Sequence, residues 1–138
     1  MLTNNEGDEM SSFKVNMVAI NPKDESLRTL PVEVLVDTGS ELSWLPRQAL
    51  VGAGITPRGK KVFVTATKQS VDRDFGYAIL SAEGYTTNDE VVFAEDGDMS
   101  LLGARTLEGF SVMVDNLAHR FVATATLAVS AFGLRDVT

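Results

Sequence analysis

The chain has 138 residues, 44% of them hydrophobic and 22% charged, with a net charge of −7 and no cysteine. One domain with its own core fits that length, and the composition excludes a disordered chain. The acidity argues against a nucleic-acid partner, which needs a basic face, and the lack of cysteine excludes disulfides and thiolate metal sites.

No basic segment followed by an apolar run opens the sequence, and no apolar run reaches bilayer length. A soluble cytoplasmic protein with no membrane partner is therefore expected. Residues 1–12 are polar and acidic and read as a flexible N-terminal segment. Phe13, Val15, Met17 and Ala19 then alternate with Lys14 and Asn16, the period of a strand with one buried face. Asn21-Pro22-Lys23-Asp24 reads as a turn. Leu30, Val32, Val34 and Val36 mark a second strand, and Leu35 is apolar too, so both of its faces are expected to be covered.

That strand runs into Asp37-Thr38-Gly39-Ser40. Burying an ionised carboxylate without partners costs several kcal/mol or more. A tight loop that aims backbone N–H groups at Asp37 offsets the cost, and so does protonation of the group. Gly39 lets the backbone fold back closely, while Thr38 supplies a donor and an acceptor for bracing. With a second carboxylate opposite, the pair would share one proton. The plainer alternative is an Asp that caps its own turn.

Further along, Leu42, Trp44 and Leu45 suggest a short strand closed by Pro46, and residues 46–52 a single helical turn ended by Gly52. Residues 60–67 and 75–82 are β-rich runs around Lys68-Gln69-Ser70-Val71-Asp72, a hairpin signal. Glu83-Gly84 is a turn and Val91-Val92-Phe93 a strand. The acidic stretch of residues 95–98 lacks the ligand series of an EF-hand loop and reads as a solvated turn. Leu101-Leu102-Gly103 precedes a short helix over residues 104–108 that Gly109 ends. Val112-Met113-Val114-Asp115 is a second apolar run into Asp, but Asp115 lacks the following glycine and reads as a turn residue. Residues 120–123 form a last strand. His119, the one histidine, has no Ser, Cys or ligand partner in a recognisable arrangement and reads as a surface turn residue.

Asp-Thr-Gly-Ser after an apolar strand resembles the active-site loop of the retropepsin-like aspartic proteases. The length points to the retroviral-type branch in its single-domain cellular or bacterial form, not the two-lobed pepsin type. Leu101-Leu102-Gly103 resembles the hydrophobic-hydrophobic-Gly motif that this family carries before its C-terminal helix, and Gly103 lies 64 positions after Gly39. The resemblance implies an all-β, retropepsin-like acid-protease barrel over residues 13–123 with one short C-terminal helix. It also implies a homodimer in which Asp37 of each subunit meets its copy on a two-fold axis. Asp37 is then the catalytic residue of an aspartic endopeptidase, with a peptide or protein as substrate and no cofactor or metal. Thr38 braces the two loops, the Gly39 backbone approaches the carboxylates, and the Ser40 hydroxyl donates to Asp37.

Trp44, Leu101 and Leu102 become candidates for the substrate pocket, with plain core packing as the alternative for Trp44. Ala66, Thr67, Lys68 and Gln69 stand where the family has its flap, the hairpin that folds over bound peptide. Two departures from the family pattern stand out. There is no glycine between Thr65 and Phe75, and the position after Gly103 is Ala104, with Arg105 one place later as a possible partner for Glu41. Both favour a rival reading, a catalytically weak or inactive peptide-binding module of the same fold. Residues 124–138, with Leu127, Val129, Phe132 and Leu134, are too apolar for a free tail and are a candidate for dimer packing.

Overall fold

The computed structural model describes residues 13–125; the expected N-terminal segment and all but two residues of the 124–138 extension lie outside that range. Strand β1 (Lys14–Ile20) points Lys14 and Asn16 outward and Val15, Met17 and Ala19 inward, as the alternation requires. Strand β2 (Val32–Val36) pairs with it antiparallel, Val15 opposite Val34. Leu30 is excluded from β2 and is 84% exposed. Strand β3 (Ser43–Pro46) leads into helix α1 (Arg47–Gly52), which buries Leu50. Pro46 sits just before the first helical residue, where its missing N–H costs nothing.

Strands β4 (Gly59–Val64) and β5 (Ser70–Ala82) form the expected hairpin. Strand β6 (Tyr85–Ala94) returns after the Glu83-Gly84 turn, in which both residues have positive φ, and is longer than its apolar half alone suggested. Two-residue β7 (Leu101–Leu102) precedes helix α2 (Ala104–Phe110), and β8 (Val112–Asp115) and β9 (Arg120–Ala123) make a separate hairpin. Helix α2 does not stop at Gly109. It runs on to Phe110 and ends at Ser111, which takes the left-handed conformation at φ 58°. Gly109 lies inside the helix, and its glycine is explained by packing, since the Thr87 side chain lies where a Cβ would be.

The sheet order is β1-β2-β7-β3-β6-β5-β4, and β1 also pairs with β5. That extra pairing, Met17 with Ala82 through Ile20 with Ile79, closes six strands into a barrel and leaves β4 as an outer strand. The chain is thus all-β with short helical segments. Met17, Val34, Leu45, Leu50, Leu80, Val91, Phe93 and Leu102 fill the interior without measurable exposure. Burying each such side chain stabilises the fold by about 1.5–3 kcal/mol. Two parallel pairings, β2 with β7 and β3 with β6, bring the end of β2 beside Leu101 and Leu102. The remote Asp and Leu-Leu-Gly segments meet there.

Candidate active site

Asp37 sits immediately after β2, half-exposed, with Thr38 and Gly39 exposed beyond it. The Gly39 N–H donates to Asp37 Oδ1 at 2.9 Å, and the Ser40 N–H returns to the Asp37 carbonyl at 3.1 Å. The loop therefore aims a neutral backbone donor at the carboxylate, as the residue order suggested. The Asp37 N–H donates to the Leu102 carbonyl at 2.9 Å, which fixes the base of the loop to β7. Ser40 behaves differently from expectation: its hydroxyl donates to the Leu42 carbonyl at 2.7 Å, not to Asp37. A carbonyl two residues ahead, inside the same turn, satisfies that hydroxyl.

The loop is also locked to α2. That helix has no side-chain cap, so its first N–H groups need other acceptors. The Ala104 N–H donates to the Ser40 carbonyl at 2.7 Å and the Arg105 N–H to the Glu41 carbonyl at 3.0 Å. Gly103 passes directly beneath, so close that a Cβ there would lie 2.8 Å from the Ser40 carbonyl oxygen. Its φ of −96° is open to any residue, so close approach is what requires glycine. The Arg105 side chain does not reach Glu41. It turns to Glu90, at 3.3 Å, and Asp89, at 3.7 Å, because only its backbone faces the loop.

Beside the loop lies an open groove of about 270 Å³, floored by residues 39–42 and walled by Trp44, Leu101, Phe63 and Val64. The Trp44 and Phe63 rings meet at 4.9 Å between centroids. Trp44 and Leu101 line this groove, while Leu102 turns inward to the core at 0% exposure. Ala66, Thr67, Lys68 and Gln69 are exposed at the hairpin tip and do not line this groove. Their place is taken by Phe63 and Val64 at the end of β4, which sequence reasoning missed. A hairpin read from the sequence does not reveal which of its residues lean towards the loop.

The tip itself is tied down. The Thr65 N–H donates to the Gln69 carbonyl at 2.8 Å, and the Gln69 N–H to the Thr65 hydroxyl at 3.1 Å. With no glycine available, Lys68 takes the left-handed conformation at φ 64°.

Asp115 is the last residue of β8, not a turn residue as expected, and its side chain caps the turn of residues 116–119 that follows. Its Oδ1 accepts from the Ala118 N–H at 3.0 Å and the Leu117 N–H at 3.1 Å, and these bonds, the Ala118 bond above all, hold its carboxyl below the usual range. His119 is exposed in the same turn and stacks on Phe13 at 5.3 Å. A larger concavity, about 560 Å³, lies between α1 and the turn of residues 95–98 and contains no residue of the Asp37 loop. Among the described residues no group of three or more His, Cys, Asp or Glu side chains is placed to hold a metal ion. Nor is any of their helices long and apolar enough to cross a membrane.

No protein-family model matches the sequence, and no curated protein matches it. Among solved structures, the chain is similar to the solution structure of Simian Foamy Virus (mac) protease, with 14% identity and a TM-score of 0.48 over 70% of this chain and 92% of that one. It is also similar to the foamy viral protease-reverse transcriptase in two complexes. With double-stranded DNA the identity is 15% and the TM-score 0.48, over 87% of this chain and 18% of that one. With an RNA/DNA hybrid they are 14% and 0.46, over 88% of this chain and 14% of that one.

Proposed function

We propose that the protein is a retropepsin-like aspartic endopeptidase of the single-domain type, acting as a homodimer on peptide or protein substrates in the cytoplasm. The observation that carries this reading is the Asp37 loop. A half-exposed carboxylate is oriented by the Gly39 N–H at 2.9 Å, at the edge of an open, partly aromatic groove. One carboxylate is not enough for amide hydrolysis, which needs a base for the water and an acid for the leaving amine. A two-fold axis through the exposed face of the loop would supply the second as Asp37 of the other subunit.

The pair would hold one proton between them. The ionised Asp37 takes a proton from the water as its oxygen attacks the peptide carbonyl, and the protonated Asp37 donates to the carbonyl oxygen. Collapse of the tetrahedral diol then breaks the C–N bond as the nitrogen gains a proton. The exposed Thr38 is available to brace the two loops across the axis, and residues 124–138 to pack there. An extended substrate would lie between the loops and the β4–β5 hairpins, one apolar side chain against Trp44 and Leu101.

The test is hydrolysis of a mixed-sequence peptide library between about pH 4 and 7, the range in which a carboxylate dyad operates. Asp37→Asn is the control. Its carboxamide oxygen can still accept from the Gly39 N–H, so stability should stay within about 0.5 kcal/mol while cleavage disappears. Activity that persists in Asp37→Asn, or that scales only linearly with enzyme concentration down to a monomer, rules the reading out.

The pinned hairpin tip, with Lys68 at φ 64°, favours a second reading as a peptide-binding module that closes too little to exclude water. A folded dimer that binds library peptides and cuts none would select it.

A further inference from the structure

Behind the Asp37 loop, three polar side chains that no sequence motif singled out form a buried chain. The Gly103 N–H donates to Ser43 Oγ at 2.9 Å, Ser43 Oγ lies 2.6 Å from Thr106 Oγ1, and Thr106 Oγ1 donates to Asp89 Oδ2 at 2.9 Å. Ser43 and Thr106 are completely buried, and the Asp89 side chain is 6% exposed. Each hydroxyl has one proton. Because the Thr106 proton goes to Asp89, the Ser43 proton must go to Thr106, and the Ser43 lone pairs are left for the Gly103 N–H. The carboxylate at one end therefore sets the direction of every bond up to the glycine under the Asp37 loop.

Asp89 is kept in place and in its acceptor role from two sides. The Glu90 N–H donates to its Oδ1 at 2.7 Å, and the Arg105 guanidinium lies 3.7 Å away. The relay joins β6, α2 and β3, so it connects the barrel wall to the segment that bears on Ser40, Leu42 and, through Leu102, the Asp37 N–H.

We propose that Asp89, acting through Thr106 and Ser43, is a positioning residue that clamps Gly103 and thereby holds the Asp37 loop in its working geometry. The proposal rests on Asp37 being the catalytic carboxylate, but the clamp is measurable without catalysis.

The experiment compares Ser43→Ala, Thr106→Val and Thr106→Ser by amide hydrogen exchange on 15N-labelled protein and by steady-state cleavage of the best library peptide. Ser43→Ala removes the acceptor of the Gly103 N–H. Thr106→Val is nearly isosteric and removes both bonds of the Thr106 hydroxyl, to Asp89 and to Ser43, while leaving the acceptor of the Gly103 N–H in place. If the relay operates, both raise the exchange rate of the Gly103 amide by about tenfold or more, Ser43→Ala because the buried donor loses its acceptor and Thr106→Val because Ser43 Oγ is no longer held in its acceptor orientation. Both also lower kcat by about tenfold with KM within about twofold, because misplacement of the loop weakens the transition state and leaves the groove intact. Thr106→Ser keeps the hydroxyl and stays within about twofold of the wild type on both readouts.

A Thr106→Val protein with wild-type Gly103 exchange overturns the relay, and raised exchange with undiminished kcat overturns the positioning role. If the wild type cleaves nothing, the endopeptidase reading fails. The Gly103 amide still decides the clamp: raised exchange in both variants upholds it, and unchanged exchange sinks it.

Discussion

Gly103→Ala isolates the contact that holds the Asp37 loop over α2. The added methyl group would come within 2.6 Å of the Leu42 carbonyl carbon and 2.8 Å of the Ser40 carbonyl oxygen, where ordinary contact begins at 3.4 Å. All the opposing atoms are backbone, so no side chain can rotate away. The Leu42 carbonyl oxygen lies closer still, so the loop has to lift by about 1 Å or α2 has to slide by the same amount. Either movement stretches the bonds from the Ala104 and Arg105 N–H groups to the Ser40 and Glu41 carbonyls, at 2.7 and 3.0 Å. Overpacking of this kind costs about 1–3 kcal/mol. An error of about 1 Å at a reacting group costs on the order of 100-fold in rate.

Urea denaturation should therefore show a lower midpoint at unchanged slope, and the variant that remains folded should have kcat reduced by about 100-fold. Gly52→Ala is the control, since nothing lies within 4 Å of a Cβ at that helical position. It should be neutral or stabilising by up to about 1 kcal/mol. A Gly103→Ala protein with wild-type stability and activity would show that the loop is not braced against this glycine.

The remaining predictions concern the hairpin, the groove and the charges. Lys68→Gly relieves a left-handed residue at the hairpin tip and should raise stability by about 1 kcal/mol in thermal or urea unfolding; a loss would mean that the Lys68 side chain holds the tip. Trp44→Ala removes a wall of the groove and the 4.9 Å contact with Phe63. Steady-state kinetics should show KM rising more than kcat falls, whereas a purely structural Trp44 would shift the unfolding midpoint with KM unchanged. Asp74 is held below the usual carboxylate range by Lys60 and Arg47, Asp98 by Arg73, and Glu90 by Lys61. A depressed folded pKa means stability that is complete above the unfolded values of about 4 and lost as pH falls through the lower folded ones. The urea midpoint should thus be flat from about pH 7 to 5 and fall below about pH 4, less steeply in Arg73→Gln; a midpoint that rises on acidification would contradict those pairings.

What the sequence disclosed follows from how local each feature is. The burial alternation of β1, the Asp37 turn, the Pro46 helix start and the turn after Asp115 each depend on a few adjacent residues, and all were readable. The first half of β6 was not. Tyr85, Thr86 and Thr87 suit a strand but carry no apolar alternation, Asn88, Asp89 and Glu90 are residues that strands disfavour, and cross-strand pairing with residues 77–82 of β5 overrides that preference. Gly109 was misread as a helix stop for a similar reason, since the Thr87 side chain facing it is 22 positions earlier in the chain.

The same gap between local and distant information explains the site. Asp-Thr-Gly announces itself within a few residues, because a carboxylate at a strand end needs a tight turn immediately after it. The elements that fix its geometry are scattered: Ser43 on β3, Asp89 on β6, and Gly103 with Thr106 at the start of α2. Individually they are an ordinary serine, aspartate, glycine and threonine. They acquire a role only because parallel pairing of β2 with β7 and of β3 with β6 folds the four together behind one loop. In the proposed dyad Asp37 would meet its copy across a two-fold axis and could tolerate little play, and its own turn offers it a single amide at 2.9 Å. Rigidity has to come from behind, through bonds that only the closed barrel can form, so the motif marks where the chemistry would occur while the barrel determines whether the carboxylate is held well enough to perform it.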